Sequence, residues 1–572
     1  MWLFLLVPLE FLLPGYCWVL CSGLHKRFGG VEEIALSFII SVVNASLLTA
    51  ALSILTSHYL IYSVVGSAIL CLVLLSIWRL RDREARHLAL HLNFDRSTLP
   101  LIITAFGYII MVLLLGWSSP IYPTADAPDP IIHAQIVEAI MNGTGKVLLL
   151  HSTSPIGLHF ASAVLAYLLG FNGLEALRVL LAMVLVDSVF LLYYCATTLL
   201  GKVGASFTIL VAGFVLPVDA IHFIKIGTFP NMLSDAIVLA ILWLMFAYMK
   251  EPNSAMGLTL TFLALGGLFV HSTFVAFLTA LWAALPIVAY YYRVHLRNYL
   301  RALLFTTGGL LALAALFGSF LIANLQRILF GSYGIGSTAP PTPILLTVQT
   351  LVWNYSVFAG ILAPFLIVAA VTRILLKRRI SAAIAFTCVW LGIMVIGMFA
   401  STEGWRFILL SLVPGSFLIG DLLGGFNQSS VKLPAGTTRS KAIKSMAPLL
   451  LVALVISGSF IPLLPRVYDP ASRNRQEAVF DSMSWLKQND QRNAVASVGL
   501  SNDYRYLQTL TGISYVGDYN ESASSMSTQS AIMGFRYVAV AIQSSQFSNF
   551  EKSNVVQEKY RNNVVAIFFI PS

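Results

Sequence analysis

Between Tyr122 and Gly145 the chain reads YPTADAPDPIIHAQIVEAIMNGTG, which gathers Asp126, Asp129, His133 and Glu138 between two strongly apolar runs. A carboxylate near a low-dielectric boundary can hold its proton above the usual range and act as a general base. Two acids and an imidazole can also hold a divalent cation, Mg²⁺ or Mn²⁺, here through Asp126, Asp129 and His133. Spacing alone does not separate the two chemistries. The bland alternative is also open, because Asp129 stands where an N-cap belongs, directly before Pro130. From there the pattern predicts a short amphipathic helix lying along the membrane surface. Ile131, Ile132, Ile136, Ala139 and Ile140 would share one face, with Gly143 just past the end. His133, one turn from Asp129, can meet it.

Further polar groups lie along the chain. PVDAIHFIKIGTFPNMLSD holds Asp219, His222, Lys225, Asn231 and Asp235. Histidine and lysine in such surroundings are costly unless paired or turned to a cavity, although Asp235 could simply cap the apolar helix it opens. STEGWRFILL holds Glu403 and Arg406 beside Trp405. A guanidinium fork at headgroup depth matches phosphate oxygens, and interfacial anchoring or a mutual ion pair is the competing reading. His151 is one more candidate near the outer loop. The stretch FGSYGIGSTAPPTP (330–343) is rich in Gly, Ser and Pro and reads as a mobile loop.

The elements that must position these residues are membrane helices. Of 572 residues, 58% are hydrophobic and 10% charged, against about a quarter charged in soluble chains. A crossing needs about 20 apolar residues. The runs predict a polytopic α-helical membrane protein with about fourteen crossings, including an apolar N-terminal helix that is retained rather than cleaved. Lys26, Arg27, Arg79, Arg81, Lys250, Arg297, Arg301 and Arg373 fall in one set of loops, and Lys146, Arg327 and Arg406 in the other. The positive-inside rule makes the first set cytoplasmic, so 118–154 and everything after 465 face outward. Three full crossings over 155–170, 175–199 and 204–217 break that alternation, and the 14-residue run 204–217 is the weakest, so an irregular helix is expected there.

After residue 465 the pattern changes. EAVFDSMSWLKQND has Val479, Phe480, Met483 and Leu486 at helical spacing, while NAVASVGL, FRYVAVAI and NVVAIFFI read as strands. These predict a small extracytoplasmic α/β domain over 466–572. It follows extra N-terminal helices at 1–98 and a membrane core at 99–465. The domain is nearly neutral, with ten Lys/Arg against nine Asp/Glu. The net charge of +10 therefore comes mainly from the cytoplasmic loops and points to anionic membrane lipid rather than nucleic acid. The five cysteines all lie in apolar segments and imply no disulfide framework.

The order of these features resembles the GT-C superfamily of membrane glycosyltransferases, which includes oligosaccharyltransferase catalytic subunits, protein O-mannosyltransferases and lipid A aminoarabinose transferases. An acidic outer loop runs into an amphipathic helix. HSTSPIGLHFASAVLAYLLGFNGLEALRVL follows, then LLGKVGASFTILVAGFVLPVDAIHFIKIGTFPNMLSD, with an acid opening the next helix. FDSMSWLKQNDQRNAVASVGLSNDYRYLQTLTGISYVGDY is similar to the helix-then-strand opening of soluble domains in that group. The likeness covers most of the chain from about residue 100, at the level of layout.

The resemblance implies inverting transfer of a sugar from a polyprenyl-phosphate-linked donor to an extracytoplasmic acceptor (a glycan, protein or lipid). It matches Asp129 to the family's catalytic acid, with Asp126 as alternate, Asp235 to the second-loop acid, and Arg406 to the donor-phosphate arginine. Lys225 and His222 would assist at the phosphate, with Glu403 and His151 nearby. The family's usual tight acid pair is replaced here by Asp129 before Pro130, which leaves metal dependence open. The rival reading is a transporter or flippase of lipid-linked or polar substrates, with intramembrane Asp, His and Lys as an ion path. Against it, no inverted repeat is visible, and the polar residues collect toward one face.

Overall fold

The computed structural model describes residues 6–81, 99–116, 129–151, 156–226, 229–271, 274–291, 295–330, 362–377, 382–400, 404–428, 470–489 and 494–571, the last span with short gaps between 501 and 520. It leaves out the side chains of some helical stretches, among them Asp129, His151, 213–226 and 404–410. Of the expected features, the 330–343 loop after Phe330, the span at 446–464, Asp126 and Glu403 lie outside the described residues.

The chain opens with α1 (Leu6–Phe11), α2 (Leu13–Cys21), α3 (Gly30–Leu55), α4 (Tyr59–Arg81) and α5 (Leu99–Gly116). The first four are joined by buried polar contacts. Ser67 Oγ donates to Glu10 Oε1 at 2.9 Å, and Asn44 Nδ2 donates to Ser67 Oγ at 3.2 Å. Gly15 N donates to Ser41 Oγ at 2.8 Å, and a Cβ on Gly15 would fall 1.9 Å from the Ser37 carbonyl oxygen. Small residues permit such approach in apolar bundles, and hydroxyls tie the helices together.

Next come α6 (Asp129–Ala139), a π-turn at Ile140–Thr144, α7 (Gly145–His151), α8 (Gly157–Leu169), α9 (Gly173–Ile226), α10 (Phe229–Lys250), α11 (Ser254–Val270), α12 (Phe274–Ala283), α13 (Leu285–Tyr291) and α14 (Leu296–Phe330). They are followed by α15 (Leu362–Lys377), α16 (Ala382–Ala400) and α17 (Gly404–Gln428). Among the described residues five helices are long and apolar enough to cross a membrane, and several shorter apolar helices accompany them.

The irregular element is not where the sequence predicts it. The 54 residues of α9 would make a rod of about 80 Å at about 1.5 Å per residue, far beyond the hydrocarbon thickness. Gly201, at φ 75° and ψ 172°, breaks it. Lys250 Nζ at the end of α10 donates to the Thr198 carbonyl at 3.3 Å, while Ile226 is two residues short of Phe229 at the start of α10. The second half of α9 therefore runs back along α10, and the chain reverses at Gly201. Run 204–217 lies within that returning helix. The short piece is α8, whose 13 residues reach about 20 Å. A count in which α8 does not cross makes the alternation of basic loops consistent.

One end of the bundle collects the cations. Arg27 Nη1 bonds Glu251 Oε2 at 2.9 Å, Asn298 Nδ2 reaches the Met249 carbonyl at 3.0 Å, and Arg373 Nη1 reaches the Leu422 carbonyl at 2.9 Å. His25 meets Trp78 edge to face. These contacts tie loops distant in sequence to one face, hereafter the basic end.

The C-terminal part holds α18 (Pro470–Asn489), β1 (Ala494–Val498), β2 (Tyr515–Asp518), α19 (Ala523–Met533), β3 (Phe535–Ala541), α20 (Phe547–Glu551), β4 (Gln557–Arg561) and β5 (Val565–Phe569). The sheet order is β2-β1-β3-β5-β4. β2, β1 and β3 run parallel, and β5 is antiparallel to both neighbours. The three runs read as strands form the inner strands β1, β3 and β5. Val479, Met483 and Leu486 on α18 are fully buried.

Candidate functional site

Opposite the basic end, α6 is held by four membrane helices. Tyr59 at the start of α4 donates its hydroxyl to the Ile140 carbonyl and accepts from the Gly145 amide at 3.2 Å, so it clamps both sides of the π-turn. Gly143 inside that turn has φ 91°, a left-handed conformation that favours glycine. The buried face of α6 is Ile131, Ala134, Val137 and Ile140, whereas Ile132, expected on that face, is 47% exposed. Gly173 explains the rotation: a Cβ there would fall 2.3 Å from the Ala134 carbonyl oxygen. A small residue on α6 must face the start of α9.

Glu138 on α6 accepts a hydrogen bond from the Gly173 amide at that helix N-terminus. Carboxylates are favoured there by the free amides and the helix dipole. Burial nonetheless dominates and pushes the Glu138 carboxyl from the ordinary 4.5 up to about 7. Asn172 and Glu175 complete the start of α9 with a reciprocal capping pair at 2.9 and 3.1 Å.

His133 faces inward. Its Nδ1 is 2.7 Å from Nε2 of His159 on α8, and its ring lies 5.7 Å from that of Phe229, the first residue of α10. One imidazole must donate and the other accept, so at least one N–H lies between them. His159 is 1% exposed, its Nε2 faces His133, and its side chain also meets the backbone of Ile156. Two residues beyond Phe229, Asn231 is fully buried, and neither Oδ1 nor Nδ2 is bonded. Ser234 Oγ is in the same condition. Asp235, one turn from Asn231, is partly exposed on a stretch of α10 otherwise buried from Phe229 to Phe246.

The expected site residues are thus distributed as follows. Asp129 is the first residue of α6, and His133 sits one turn along. Asp235 is on the first turns of α10, the helix whose Phe229 touches His133. His222 and Lys225 belong to the returning half of α9, His151 ends α7, and Arg406 lies in the first turn of α17. Sequence reasoning passed over His159, although a histidine inside an apolar run is itself a signal. Among the described residues no group of three or more His, Cys, Asp or Glu could hold a metal ion. His133, the one expected metal ligand whose side chain is described, has Nδ1 engaged by His159.

No family model matches the chain, and no curated protein matches it in sequence. Solved structures do match. ArnT from Cupriavidus metallidurans bound to undecaprenyl phosphate aligns with a TM-score of 0.52 at 11% identity, covering 82% of this chain and 97% of that one. The same protein in its apo state gives 0.52 at 11% identity over 83% and 98%. The oligosaccharyltransferase of Archaeoglobus fulgidus, tethered to an acceptor peptide containing the NVT sequon, gives 0.50 at 13% identity over 78% and 69%. The fold is that of the GT-C glycosyltransferases. Within the GT-C fold of this chain, α6 and the starts of α9 and α10 form the end away from the basic loops. His133 and His159, the partly open Asp235 and the unbonded Asn231 lie on those elements and on α8.

Proposed function

We propose that the chain is a membrane glycosyltransferase of GT-C type that moves a sugar from a polyprenyl-phosphate-linked donor to an extracytoplasmic glycan, protein or lipid. The observation that carries this reading is the placement of α6. It begins at Asp129 and is docked through His133 against α8 and α10, at the end opposite the cations. The positive-inside rule makes that end extracytoplasmic. The fold shared with a protein bound to undecaprenyl phosphate supports the donor class.

In this reading Asp129, helped or replaced by Asp126, takes the proton from the acceptor hydroxyl or amide. The acceptor atom forms its bond to the anomeric carbon as the bond from that carbon to the donor phosphate oxygen breaks. The polyprenyl phosphate leaves with the electron pair, and the anomeric configuration inverts. Arg406, with Lys225 and His222, holds the phosphate, and its charge-assisted bonds strengthen as negative charge develops on the leaving oxygen. Asp235, on the first turns of α10, would lie beside the reaction, with Glu403 as a further candidate from the sequence. A divalent cation at Asp126, Asp129 and His133 would supply charge stabilisation. The described donors do not complete such a group, so no step is drawn through it.

The test is direct. The full chain in nanodiscs, given a panel of polyprenyl-phosphate sugars and membrane-extract acceptors, should release free polyprenyl phosphate and form a glycosylated product. Movement of intact glycolipid between leaflets without bond cleavage would favour the transporter reading instead.

A further inference from the structure

His133 and His159 share a proton across 2.7 Å, from Nδ1 of one ring to Nε2 of the other. Which ring owns it follows from the far side of His159. There the imidazole meets the backbone of Ile156, the residue that precedes α8. The Ile156 carbonyl takes the amides of His159 at 3.0 Å and Phe160 at 3.3 Å. It is therefore the carbonyl that faces this first turn, and a ring nitrogen beside it must bring a proton. That nitrogen is Nδ1, because Nε2 is turned to His133. A neutral imidazole has one N–H, and a second proton would charge a ring that is 1% exposed. Nε2 of His159 is then the acceptor and Nδ1 of His133 the donor, so the lone pair of His133 stands on its own Nε2.

We propose that His159 is a positioning residue for the transfer reaction. By taking the Nδ1 proton of His133, it holds His133 in the tautomer whose Nε2 accepts, on the helix that begins with Asp129. His133 takes the hydrogen bond of the acceptor's second donor (a neighbouring hydroxyl or the second amide hydrogen) while Asp129 takes the proton that leaves. This inference rests on the glycosyltransferase reading. The ring is held in plane as well as in tautomer. It lies 4.9 Å from His159 at 36° and 5.7 Å from Phe229 at 37°, so α8 and α10 both grip it. His133 is four residues from Asp129, one turn along α6. It is itself half-buried, and Nε2 is across the ring from the nitrogen that meets the buried partner. The start of α8 gives firm backing, since a Cβ on Gly157 would fall 2.9 Å from the side chains of Phe269 and Val270. An imidazole without such a partner exchanges its proton between its two nitrogens. The tautomer with Nε2–H would then offer the substrate a donor where an acceptor is needed.

The experiment reads the tautomer and the kinetics together. Full-length protein, labelled with nitrogen-15 at histidine, is reconstituted in lipid at pH 8. The ring resonances of His133 and His159 are assigned by their loss in His133→Gln and His159→Gln. The wild type should show both rings protonated on Nδ1, with a coupling across the bond from His133 Nδ1 to His159 Nε2. His159→Leu should lose the coupling and leave His133 a mixture of tautomers. Its kcat/KM for the membrane-extract acceptors that the wild type glycosylates should fall about tenfold, carried by KM, as for one lost hydrogen bond. His159→Gln, whose amide oxygen reaches the place of Nε2, should keep the His133 tautomer and stay within about threefold of the wild type.

A wild-type His133 protonated on Nε2 overturns the positioning role. So do wild-type kinetics in His159→Leu, or an equal loss in the Leu and Gln variants, which would make the pair a packing contact. If His159→Leu does not fold, the wild-type spectrum and His159→Gln decide. These failures leave the glycosyltransferase reading standing. A wild type with the stated tautomer that forms no glycosylated product removes that reading, and the substrate contact with it.

Discussion

At the basic end of the bundle Arg27 reaches Glu251 at 2.9 Å, Lys250 reaches the Thr198 carbonyl at 3.3 Å, and Arg373 reaches the Leu422 carbonyl at 2.9 Å. At the other end the side chains of Asn231 and Ser234 are buried with no partner among the described residues. The basic end uses its charged side chains to tie helix ends together, although Trp78 Nε1 is also buried there without a hydrogen-bond partner. The α6 end instead holds its acids and the His133–His159 pair on and around one short helix. Substitutions at the two ends should therefore differ in kind: lost stability at one, lost transfer at the other.

The largest effect belongs to Asp129. Asp129→Asn should keep α6, because asparagine caps helices as well as aspartate, yet lower sugar transfer about 10²–10⁴-fold, the usual contribution of a general base. Release of polyprenyl phosphate measures it, with Asp126→Asn in parallel. Wild-type rates in both variants would make the acidic end structural after all. A chelator titration with Mn²⁺ or Mg²⁺ restoration then separates a base from a metal ligand.

Arg406→Ala comes next. Loss of a charge-assisted phosphate contact should cost about 2–4 kcal/mol in transition-state stabilisation, read as a fall in kcat/KM with expression and melting unchanged. Equal activity would leave Arg406 as an interfacial anchor.

Gly173→Ala sharpens the comparison from the packing side. Its Cβ would fall 2.3 Å from the Ala134 carbonyl oxygen, so α6 must move, at about 1–3 kcal/mol. Tm in nanodiscs should drop, and transfer should drop with it because His133 moves too. A normal Tm would mean that α6 does not rest on α9.

A pH dependence follows from Glu138. Its carboxyl is raised from 4.5 to about 7 by burial. Between those values the docked state binds more protons than the undocked one. Docking of α6 therefore weakens as pH rises through that window, and it is level below and above it. Amide exchange across 131–140 should be slower at pH 5 than at pH 8 after correction for intrinsic rates, and Glu138→Gln should flatten the difference. An unchanged slope in Glu138→Gln would assign it to another group.

The smallest effect is expected at the basic end. The Arg27–Glu251 pair is 31% and 74% exposed, so Glu251→Gln should change stability by at most about 0.5 kcal/mol and transfer not at all. A large loss of activity there would undo the contrast between the two ends.

Much of this was legible in the chain itself. Composition alone requires a membrane-spanning helical bundle, because backbone groups in hydrocarbon must be satisfied within each segment. Asp129 and Gly143 mark the start and the exit of α6 because capping is a local property of a few residues. NAVASVGL, FRYVAVAI and NVVAIFFI were readable as strands because inner strands need apolar, β-branched side chains on both faces. The edge strands YVGD and QEKYR carry no such run, and polar edges are how sheets avoid further pairing.

Other features depend on partners far along the chain. Nothing in IIHAQIVEAI says that Ala134 rather than Ile132 turns inward; the close approach of Gly173 decides it. Hydropathy made 204–217 the weak span because it is short as a run. Only the reversal at Gly201, with Lys250 beside Thr198, joins it to a full returning helix and shows α8, at 13 residues, as the shorter piece. His133 and His159 are 26 residues apart, and whether Asn231 is bonded depends on every helix packed around it. Periodicity, capping and charge asymmetry are written within a few turns of the chain, so the sequence determines the elements and their polarity. Contact between helices, and the polar atoms left unmatched by it, is a property of the packed bundle, and only the tertiary structure decides it.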